Sequence, residues 1–335
     1  MSFVLFATFF LCFVIFFFLV KISFLLNLID IPNSRKTHPA PVPYTGGLCI
    51  GLTFILIIFL AKFQNTVINQ ILIYSFVVSI IGLIDDKFDL SVFLKLSLLT
   101  FPIFLLSSYG LTIKNLGYYP VIGIIELGSL GIIFTITCCL LLINSVNYSD
   151  GIDGFAASLF ISSIINLFIL VNFQIPVNNE FLYLLLLILV PLSVFLILNI
   201  NTFGYKKIFL GDSGSLMLGF LLSFLIIFAH NNIKIHPALL IWTISFFIFE
   251  FISTNLIRLA HRKNIFDPGK DHFHFEIYKK TNSNNLTILI GVAINSLFFL
   301  VGFFIFSYFN SIVSLLTFIF SIFIYFYLRI KIRNN

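Results

Sequence analysis

Long apolar runs are the feature that most constrains what this chain can fold into. Eleven such runs follow one another along the 335 residues, and the chain is 60% hydrophobic with a mean hydropathy of +1.12. A run of roughly 20 apolar residues is long enough to cross a bilayer as an α-helix. The sequence therefore predicts an all-α polytopic membrane protein with about eleven transmembrane helices.

The loops between these runs are short. The predicted spans cover residues 3–27, 46–63, 68–84, 92–108, 129–147, 154–171, 181–199, 214–229, 236–260, 285–307 and 311–330. Even the loop at residues 261–284 is too short to be a separate domain. We therefore predict one integral membrane domain over residues 1–335. In the loop at residues 109–128, segments 112–117 and 118–127 are punctuated by Gly and Pro and could form a small hairpin.

Lysine and arginine set the predicted orientation. When each of the 19 basic residues is assigned to its nearest loop, only Lys62, Lys114 and Lys234 fall on one side of the membrane. Because basic residues are enriched in cytoplasmic loops, the other 16, including the C-terminal Arg329, mark the cytoplasmic face. Eleven spans then place the N-terminus outside. The net charge of +6 follows from this topology and from attraction to anionic lipid, so no nucleic acid partner is predicted.

Aspartates are concentrated at the ends of the apolar runs. Six of the nine lie in three clusters, which are Asp85-Asp86-Lys-Phe-Asp89, Asp150-Gly-Ile-Asp153 and Asp212 in Gly-Asp-Ser-Gly-Ser. The charge count places all three clusters on the cytoplasmic face. Carboxylates at the membrane surface can hold a metal ion and, through it, an anionic substrate. An active site is therefore expected on this face, built from several loops.

The Asp85-Asp86 pair ends the third predicted span. Adjacent carboxylates repel one another, so they need a cation or a shared proton. One interpretation is an acidic helix cap, and the other is a Mg²⁺ and phosphate site in which one carboxylate acts as general base. If the helix continues for one turn, Asp89 lies on the same face as the pair. Lys95 is either a phosphate counter-charge or a lysine that reaches for the membrane surface.

Two further motifs combine small residues with amides and carboxylates. Asn144, Asn147 and Asp150 recur every three residues and can line one helix face. Asp153 follows between two glycines, where a backbone can approach a ligand closely. The Gly-rich sequence around Asp212 runs into a helix N-terminus, which offers N–H groups to an anion. The Asp212 carboxylate then binds the accompanying cation or only caps the helix.

Aromatic and basic residues complete the predicted cytoplasmic face. Phe209 either stacks on a nucleotide base or packs in the interior. The first loop carries Lys36 and His38 ahead of a proline-rich turn, and its basic residues can also serve as a topology signal. His272 and His274 are two residues apart, which suits neither neighbouring helical ligands nor the usual zinc patterns. We therefore predict that these histidines contact pyrophosphate.

Taken together, these motifs resemble the polyprenyl-phosphate N-acetylhexosamine-1-phosphate transferases of glycosyl transferase family 4. They are Asp-x-Pro-Asn-x-Arg-Lys-x-His ending in Gly-Gly, Asp-Asp, Asn-x-x-Asn-x-x-Asp-Gly-x-Asp-Gly, Phe-Leu-Gly-Asp-x-Gly-Ser and His-x-His, in the family's order from Asp30 to Glu276. The resemblance implies a Mg²⁺-dependent enzyme, with Mn²⁺ as the alternative ion. It would transfer a sugar 1-phosphate from a UDP-N-acetylhexosamine to polyprenyl (undecaprenyl) phosphate, releasing UMP, as the first membrane step of cell-surface polysaccharide synthesis.

The resemblance also implies roles for individual residues. Asp212 and Asn147 would bind the metal ion. Asp85 and Asp86 would activate or position the lipid phosphate, with a slight preference for Asp85 as the base. The other matching positions would bind substrate: Lys36 and His38 the lipid phosphate, Asp150, Asp153 and Phe209 the uridine end or its surroundings, and Lys95, His272 and His274 the diphosphate.

The chain departs from the family pattern in two positions. Phe275 follows His274 where the bacterial family commonly has a second histidine, and Glu250 stands where many relatives have aspartate. The triple histidine typical of the peptidoglycan precursor translocase is absent. The Phe-Asp-Leu-Ser stretch after the acid pair and Phe203-Gly204 ahead of the Gly-Asp motif resemble the branch that begins O-antigen, common-antigen or teichoic acid synthesis with GlcNAc 1-phosphate or a related sugar. Because the second histidine is missing, a 2-acetamido-6-deoxyhexose donor stays an alternative to GlcNAc.

A cation- or proton-coupled transporter is the alternative function. A transporter is expected to have carboxylates near the middle of the membrane and broken helices in paired halves. The acids of this chain instead lie at span ends, and no two halves correspond. We expect a multi-pass protein of the bacterial inner membrane with its active site facing the cytoplasm, and leave open whether it forms a homodimer.

Overall fold

The protein is built almost entirely from helices. The computed structural model describes residues 2–32, 40–175, 179–200, 207–265 and 269–334. Within these ranges, nine helices are long and apolar enough to cross a membrane, and Gly46–Ala61 and Val92–Ser108 are two shorter apolar helices. Each predicted span corresponds to one of these helices. The prediction of an all-α polytopic membrane protein is therefore confirmed.

The helices and strands follow one another in an order that alternates long helices with short connections. They are α1 Ser2–Leu25, β1 Ile29–Asp30, β2 Val42–Pro43, α2 Gly46–Ala61, α3 Thr66–Phe88, α4 Val92–Ser108, β3 Asn115–Tyr119, β4 Gly123–Glu126, α5 Gly131–Tyr148, α6 Phe155–Gln174, α7 Glu180–Asn199, α8 Gly211–Ile233, α9 Pro237–Leu240, α10 Ser245–Ala260, α11 Phe273–Thr281, α12 Asn284–Tyr308 and α13 Ser311–Asn334. Short 3₁₀ turns at Gly128–Leu130 and Ile241–Ile244 precede α5 and α10.

These elements divide into two compact units. The first contains residues 1–109 and 177–221, and the second contains residues 110–176 and 222–335. The single domain over residues 1–335 stays a prediction.

In the first unit, the start of α8 packs against α2 and α3 through backbone rather than side chains. A Cβ atom at Gly47 of α2 would overlap the backbone of Gly214, and one at Gly82 of α3 would overlap the backbone of Asp212. The N–H of Gly47 also donates to the carbonyl of Leu210 at 3.0 Å. Only glycine allows helices to approach this closely. This packing fixes the end of α3 against the beginning of α8.

The second unit packs α12 against α6 and α10 against α5, and it contains the predicted hairpin. Strands β3 and β4 pair antiparallel, with Tyr119 opposite Gly123. The sequence predicted that the two strands meet between Gly117 and Tyr118. The turn in the structure lies about three residues later, at residues 120–122, where Val121 has a φ of 75°. Gly117 lies within β3 with a φ of 90°, and the ring of His236, 2.7 Å from where a Cβ atom would lie, leaves no room for a side chain there.

Helix α11 was not predicted. The segment at residues 261–284 lacks a long apolar run, but its nine residues Phe273–Thr281 form a helix that buries Phe273, His274, Glu276 and Ile277. The helix packs on α12 and α13. Its short length and mixed composition give no membrane-span signal, and its stability comes from tertiary packing.

The backbone contact at Gly47 predicts that an added methyl group destabilises the first unit. We expect Gly47→Ala to lower the free energy of unfolding by about 1–3 kcal/mol. The added methyl group would overlap the backbone of Gly214, which cannot move aside by a change of rotamer as a side chain can. Thermal and denaturant unfolding of the purified protein in detergent measures the change. Gly51→Ala in the same helix is the matched control, since its Cβ meets only side-chain atoms of Ser79 and Phe76. Equal losses in both variants would contradict the backbone contact.

Candidate active site

Asp85 and Asp86 lie in the last turn of α3, which continues four residues beyond the predicted end at residue 84. The helix stops at Phe88 because Asp89 adopts a left-handed conformation with a φ of 50°. The backbone N–H of Asp89 donates to the carbonyl of Asp85 at 2.8 Å. Asp89 is thus a C-terminal cap and does not extend the helical face of the pair. Its role, unassigned by the sequence, is to end α3.

Asp86 binds the N-terminus of α8. Its two carboxylate oxygens accept hydrogen bonds from the backbone N–H groups of Asp212 at 2.9 Å and Ser213 at 3.0 Å. The first N–H groups of a helix lack partners within the helix, and the helix dipole favours an anion there. A Cβ atom at Gly211, which has a φ of 69°, would lie 2.6 Å from a carboxylate oxygen of Asp86. The sequence predicted that the Gly-rich N-terminus of α8 binds an anion. In the structure, two of its N–H groups bind the carboxylate of Asp86.

Lys95 joins the two remaining carboxylates of this region. Its ammonium group lies 2.8 Å from Oδ2 of Asp212 and forms an ion pair with Asp85. The other oxygen of Asp85 accepts a hydrogen bond from the N–H of Leu90 at 3.0 Å. Asp85 is buried, whereas 30% of the Asp212 side chain is exposed. We call Asp85, Asp86, Lys95 and Asp212 the carboxylate cluster.

The carboxylate cluster has the composition of a divalent-cation site. The cluster contains three carboxylates and one ammonium group, which gives it a formal charge of −2. Carboxylate oxygens are the ligands that Mg²⁺ prefers, and the Asp212 side chain is 30% exposed whereas Asp85 is buried. Among the described residues, no three His, Cys, Asp or Glu side chains form a metal-binding group, so the fit to the metal ion that the resemblance implies rests on the carboxylate of Asp212. Asn147, the second predicted metal ligand, belongs to the second unit and stays a prediction.

Phe209 lies in the first unit, just before α8. Its backbone N–H donates to Pro43 at 2.8 Å, and its carbonyl accepts from Gly46 at 3.0 Å. Its half-buried ring lies 5.1 Å from the ammonium group of Lys207. The backbone at Phe209 is therefore fixed. The predicted Lys36 and His38 lie outside the described residues.

In the second unit, the histidine motif meets the turn that follows α5. A Cβ atom at Gly151 would overlap Nε2 of His274 and lie 2.7 Å from the ring of Phe275. Gly151 stands between Asp150 and Asp153, so the structure brings both predicted nucleotide-binding aspartates to the same turn as the histidine motif. Helix α5 ends at Tyr148, before Asp150, so Asn144 and Asn147 are helical and Asp150 is not.

His274 is held as a neutral ring. It is buried, stacked at 10° on His272 with 5.7 Å between ring centroids, and neither ring nitrogen has a hydrogen-bond partner among the residues that the structure describes. Burial, reinforced by the neighbouring His272, lowers the pKa of His274 from 6.5 to about 3. A neutral imidazole can donate one hydrogen bond but offers no charge. Contact of His274 with a diphosphate, as predicted, would therefore be a hydrogen bond.

A buried ion network, which the sequence did not reveal, holds the histidine motif. Glu250 accepts a hydrogen bond from the N–H of Phe273 at 2.9 Å and from the Tyr325 hydroxyl at 2.8 Å. Arg329 forms an ion pair with Glu250 and donates to the carbonyl of Asp271 at 2.8 Å. Both charged side chains are buried. The start of α11 is thus fixed through α10 and α13.

A second arginine orders the segment before the motif. Arg258 makes two hydrogen bonds to Asp271, at 2.7 and 3.1 Å, and donates to the carbonyl of Ile265 at 2.8 Å. Burial raises the pKa of Asp271, but the hydrogen bonds and charge of Arg258 prevail and lower it. The ring of Tyr148 lies 4.8 Å from that of His272, and its hydroxyl donates to Ile265 at 3.0 Å.

One signal in the sequence does point to this network. Glu250 and Arg329 each interrupt an apolar run, and an ionisable residue in such a run needs a partner. From the sequence alone, Arg329 indicates only the cytoplasmic face, and Glu250 indicates only a departure from the aspartate that is common in the family. The two residues are 79 positions apart, so no local sequence pattern can show that they form a pair.

The buried pair predicts a large effect for Arg329→Met. Removing the arginine leaves Glu250 buried without its counter-charge, which should cost about 3–5 kcal/mol of unfolding free energy. Unfolding in detergent measures the loss. The double variant with Glu250→Gln should recover part of it, because the buried charge of Glu250 is then removed, although Glu276 still lacks its partner Arg329. Lys331→Met, at an exposed position of the same helix, is the control, and a loss no larger than the control's would contradict the pairing.

The neutral state of His274 predicts a pH dependence of stability. Its folded pKa of about 3 lies below the ordinary value of 6.5, so the unfolded chain binds more protons between these values. Stability should therefore fall as the pH drops below about 6.5, with a slope approaching about 1.4 kcal/mol per pH unit from this group. Thermal unfolding between pH 7 and pH 5 should show a smaller fall in His274→Gln than in the wild type. His261→Gln, at an exposed histidine, should follow the wild type, and parallel profiles for all three proteins would refute the assignment.

Comparison with known proteins agrees with these observations. The family model for glycosyl transferase family 4 matches residues 68–230, a range that contains the whole carboxylate cluster. An undecaprenyl-phosphate alpha-N-acetylglucosaminyl 1-phosphate transferase of Yersinia pestis is 27% identical over 283 residues, 82% of this chain and 76% of the relative. The Escherichia coli K12 protein of the same name is 26% identical over 284 residues, with coverage of 83% and 76%. A probable undecaprenyl-phosphate N-acetylglucosaminyl 1-phosphate transferase of Bacillus subtilis is 26% identical over 282 residues, with coverage of 83% and 77%. These matches support placing the chain in glycosyl transferase family 4, among the polyprenyl-phosphate hexosamine-1-phosphate transferases.

Proposed function

We propose that this protein transfers GlcNAc 1-phosphate from UDP-GlcNAc to undecaprenyl phosphate. The products are undecaprenyl diphosphate GlcNAc and UMP. The carboxylate cluster carries the proposal, because it lies within the matched range of a family whose similar members are named for this transfer. Family membership favours this enzyme over the transporter alternative. The many apolar helices supply the membrane environment that a polyprenyl lipid requires.

The proposed chemistry is a displacement at phosphorus. An oxygen of the lipid phosphate bonds to the phosphorus that carries the sugar, and the bond from that phosphorus to the bridging oxygen breaks, so that UMP leaves. If the lipid phosphate loses a proton, a carboxylate must accept it.

The cluster geometry favours Asp85 as the proton acceptor. Both oxygens of Asp86 accept backbone hydrogen bonds from α8, so this carboxylate is used to position Asp212. One oxygen of Asp85 pairs with the ammonium group of Lys95, and the Asp85 side chain also interacts with that of Asp212. A lysine side chain can rotate toward an arriving phosphate, which would release Asp85 for proton transfer. Asp86 then acts as a positioning residue.

We propose that Asp212 binds Mg²⁺ together with the diphosphate of the donor. The ion would supply positive charge to the diphosphate oxygens and the leaving UMP. Lys95, now paired with two carboxylates, would provide a second positive charge on the same side. Mn²⁺, which prefers the same oxygen ligands, is the alternative ion.

We place the protein in the bacterial inner membrane, with the cluster facing the cytoplasm and the N-terminus outside. The support is the distribution of lysine and arginine, which marks the cytoplasmic face. A homodimer is compatible with this arrangement, and neither the charge distribution nor the cluster requires one.

A transfer assay tests the proposed function and the role of Asp85. Purified protein with UDP-GlcNAc labelled in the sugar, undecaprenyl phosphate and Mg²⁺ should form labelled lipid, and omission of the metal ion should prevent this. Asp85→Asn and Asp212→Asn should each reduce the rate by a factor of about 10² to 10⁴. The same assay with other UDP-N-acetylhexosamines tests the choice of sugar.

Asp89→Asn is the matched control for both substitutions. Asparagine tolerates the left-handed conformation of Asp89, so α3 should end normally and the rate should stay within a factor of two or three of the wild type. Thermal unfolding checks that all variants are folded. Wild-type transfer by Asp85→Asn would exclude Asp85 as the base, and absence of transfer with every UDP-N-acetylhexosamine tested would reject the proposed function.

A further inference from the structure

A basic cleft opens at the end of the second unit. The residues after α10, the last turn of α11 and the last turn of α13 enclose a volume of about 800 Å³. Exposed lysine and arginine side chains dominate its lining. They are Arg262, Lys263, Lys270, Lys279, Lys280 and Arg333.

The two acids of the lining are held chiefly by buried arginines, and Glu276 also interacts with Arg333. Asp271 is bound by two hydrogen bonds to Arg258, and Glu276 forms an ion pair with the buried Arg329 at 3.1 Å. Both acids therefore stabilise the protein interior. The six exposed basic residues leave the cleft with a strong positive charge.

A topology signal alone does not account for this arrangement. The positive-inside rule requires basic residues in cytoplasmic loops, but it does not require them to converge on one cavity. Like charges brought together repel one another, and Lys279 and Lys280 are adjacent on α11 while Arg333 comes from another helix. An anion in the cleft would remove this repulsion. The geometry thus calls for an anionic ligand.

The neighbouring apolar surface indicates which anion. On α10, Leu256 and Leu259 are 44% and 61% exposed within two turns of Arg262, and on α13, Leu328 and Ile330 are 46% and 38% exposed within two turns of Arg333. In a membrane protein, exposed leucine and isoleucine on a spanning helix contact acyl chains. Phosphate would therefore reach the cleft attached to a lipid. Basic pockets between spanning helices are suited to anionic lipid headgroups.

We propose that this basic cleft binds the headgroup of an anionic phospholipid, with a preference for a headgroup that carries two phosphates. Six cations and about 800 Å³ exceed what one phosphate needs. The lipid would hold the last turn of α11, whose first turn carries His274. This site is separate from the carboxylate cluster in sequence, and lipid binding does not depend on transfer activity.

Lipid binding to the intact, purified protein tests the proposal. Native mass spectrometry should detect a two-phosphate lipid, diphosphatidylglycerol, bound in preference to phosphatidylglycerol and more strongly still over zwitterionic phosphatidylethanolamine. The double variant Lys279→Gln with Arg333→Gln should weaken binding of diphosphatidylglycerol about tenfold or more, because each basic residue near lipid contributes appreciably to attraction. Diphosphatidylglycerol should also raise the melting temperature of the wild type but not of this variant.

The matched control removes two other exposed charges. Lys21→Gln with Lys87→Gln makes the same change in net charge at positions that the charge count assigns to the same membrane face. It should bind diphosphatidylglycerol like the wild type. Equal weakening in both double variants would show diffuse attraction only and overturn the proposal. Stabilisation by inorganic pyrophosphate but not by lipid would also overturn it, in favour of a soluble anion.

Discussion

The contact between the Asp86 carboxylate and the N-terminus of α8 determines the geometry of the carboxylate cluster. Two backbone N–H groups donate to one side chain, and Gly211 leaves no side chain of its own in the way. The carboxylate gains both hydrogen bonds and the favourable end of a helix dipole. Because Asp86 and Asp85 are adjacent on α3, this contact fixes where Asp85 meets Lys95 and Asp212. Close backbone packing at Gly47 and Gly82 makes it possible.

The second unit uses a buried ion pair for the same purpose. Arg329 and Glu250 are buried together, and besides their side-chain partners they bind backbone groups at Asp271 and Phe273, around the start of α11. A buried charge is tolerated only when it is paired and hydrogen-bonded, so such a pair permits few alternative arrangements. In both units, a charge in an apolar surrounding fixes the backbone of a motif that the sequence singled out.

The sequence predicted the helices well because an apolar run is a local property that directly selects a membrane span. The sequence was less informative at helix ends, because a single residue in a left-handed conformation, such as Asp89, can end a helix. It also did not reveal α11, whose stability depends on partners distant in the chain. The motifs identified Asp85, Asp86 and Asp212, but the hydrogen bond that makes Asp86 a helix cap joins residues 126 positions apart. The pairing of Glu250 with Arg329 is equally non-local. Composition indicates that a partner is needed, and only the fold identifies it.

The charge of the cluster constrains how the proposed reaction can proceed. The proposed donor and acceptor both bring phosphate groups, and three carboxylates with one lysine would repel them. Lys95 alone cannot reverse this, since it already offsets Asp85 and Asp212. In the proposed reaction, a divalent cation that arrives with the substrate would make the cluster attractive to phosphate, and Asp212, with its side chain partly exposed, would receive it. Binding of the metal ion and the donor would also draw Lys95 away from Asp85. The lipid phosphate would then meet Asp85 only after the donor is bound, so this charge distribution favours ordered binding.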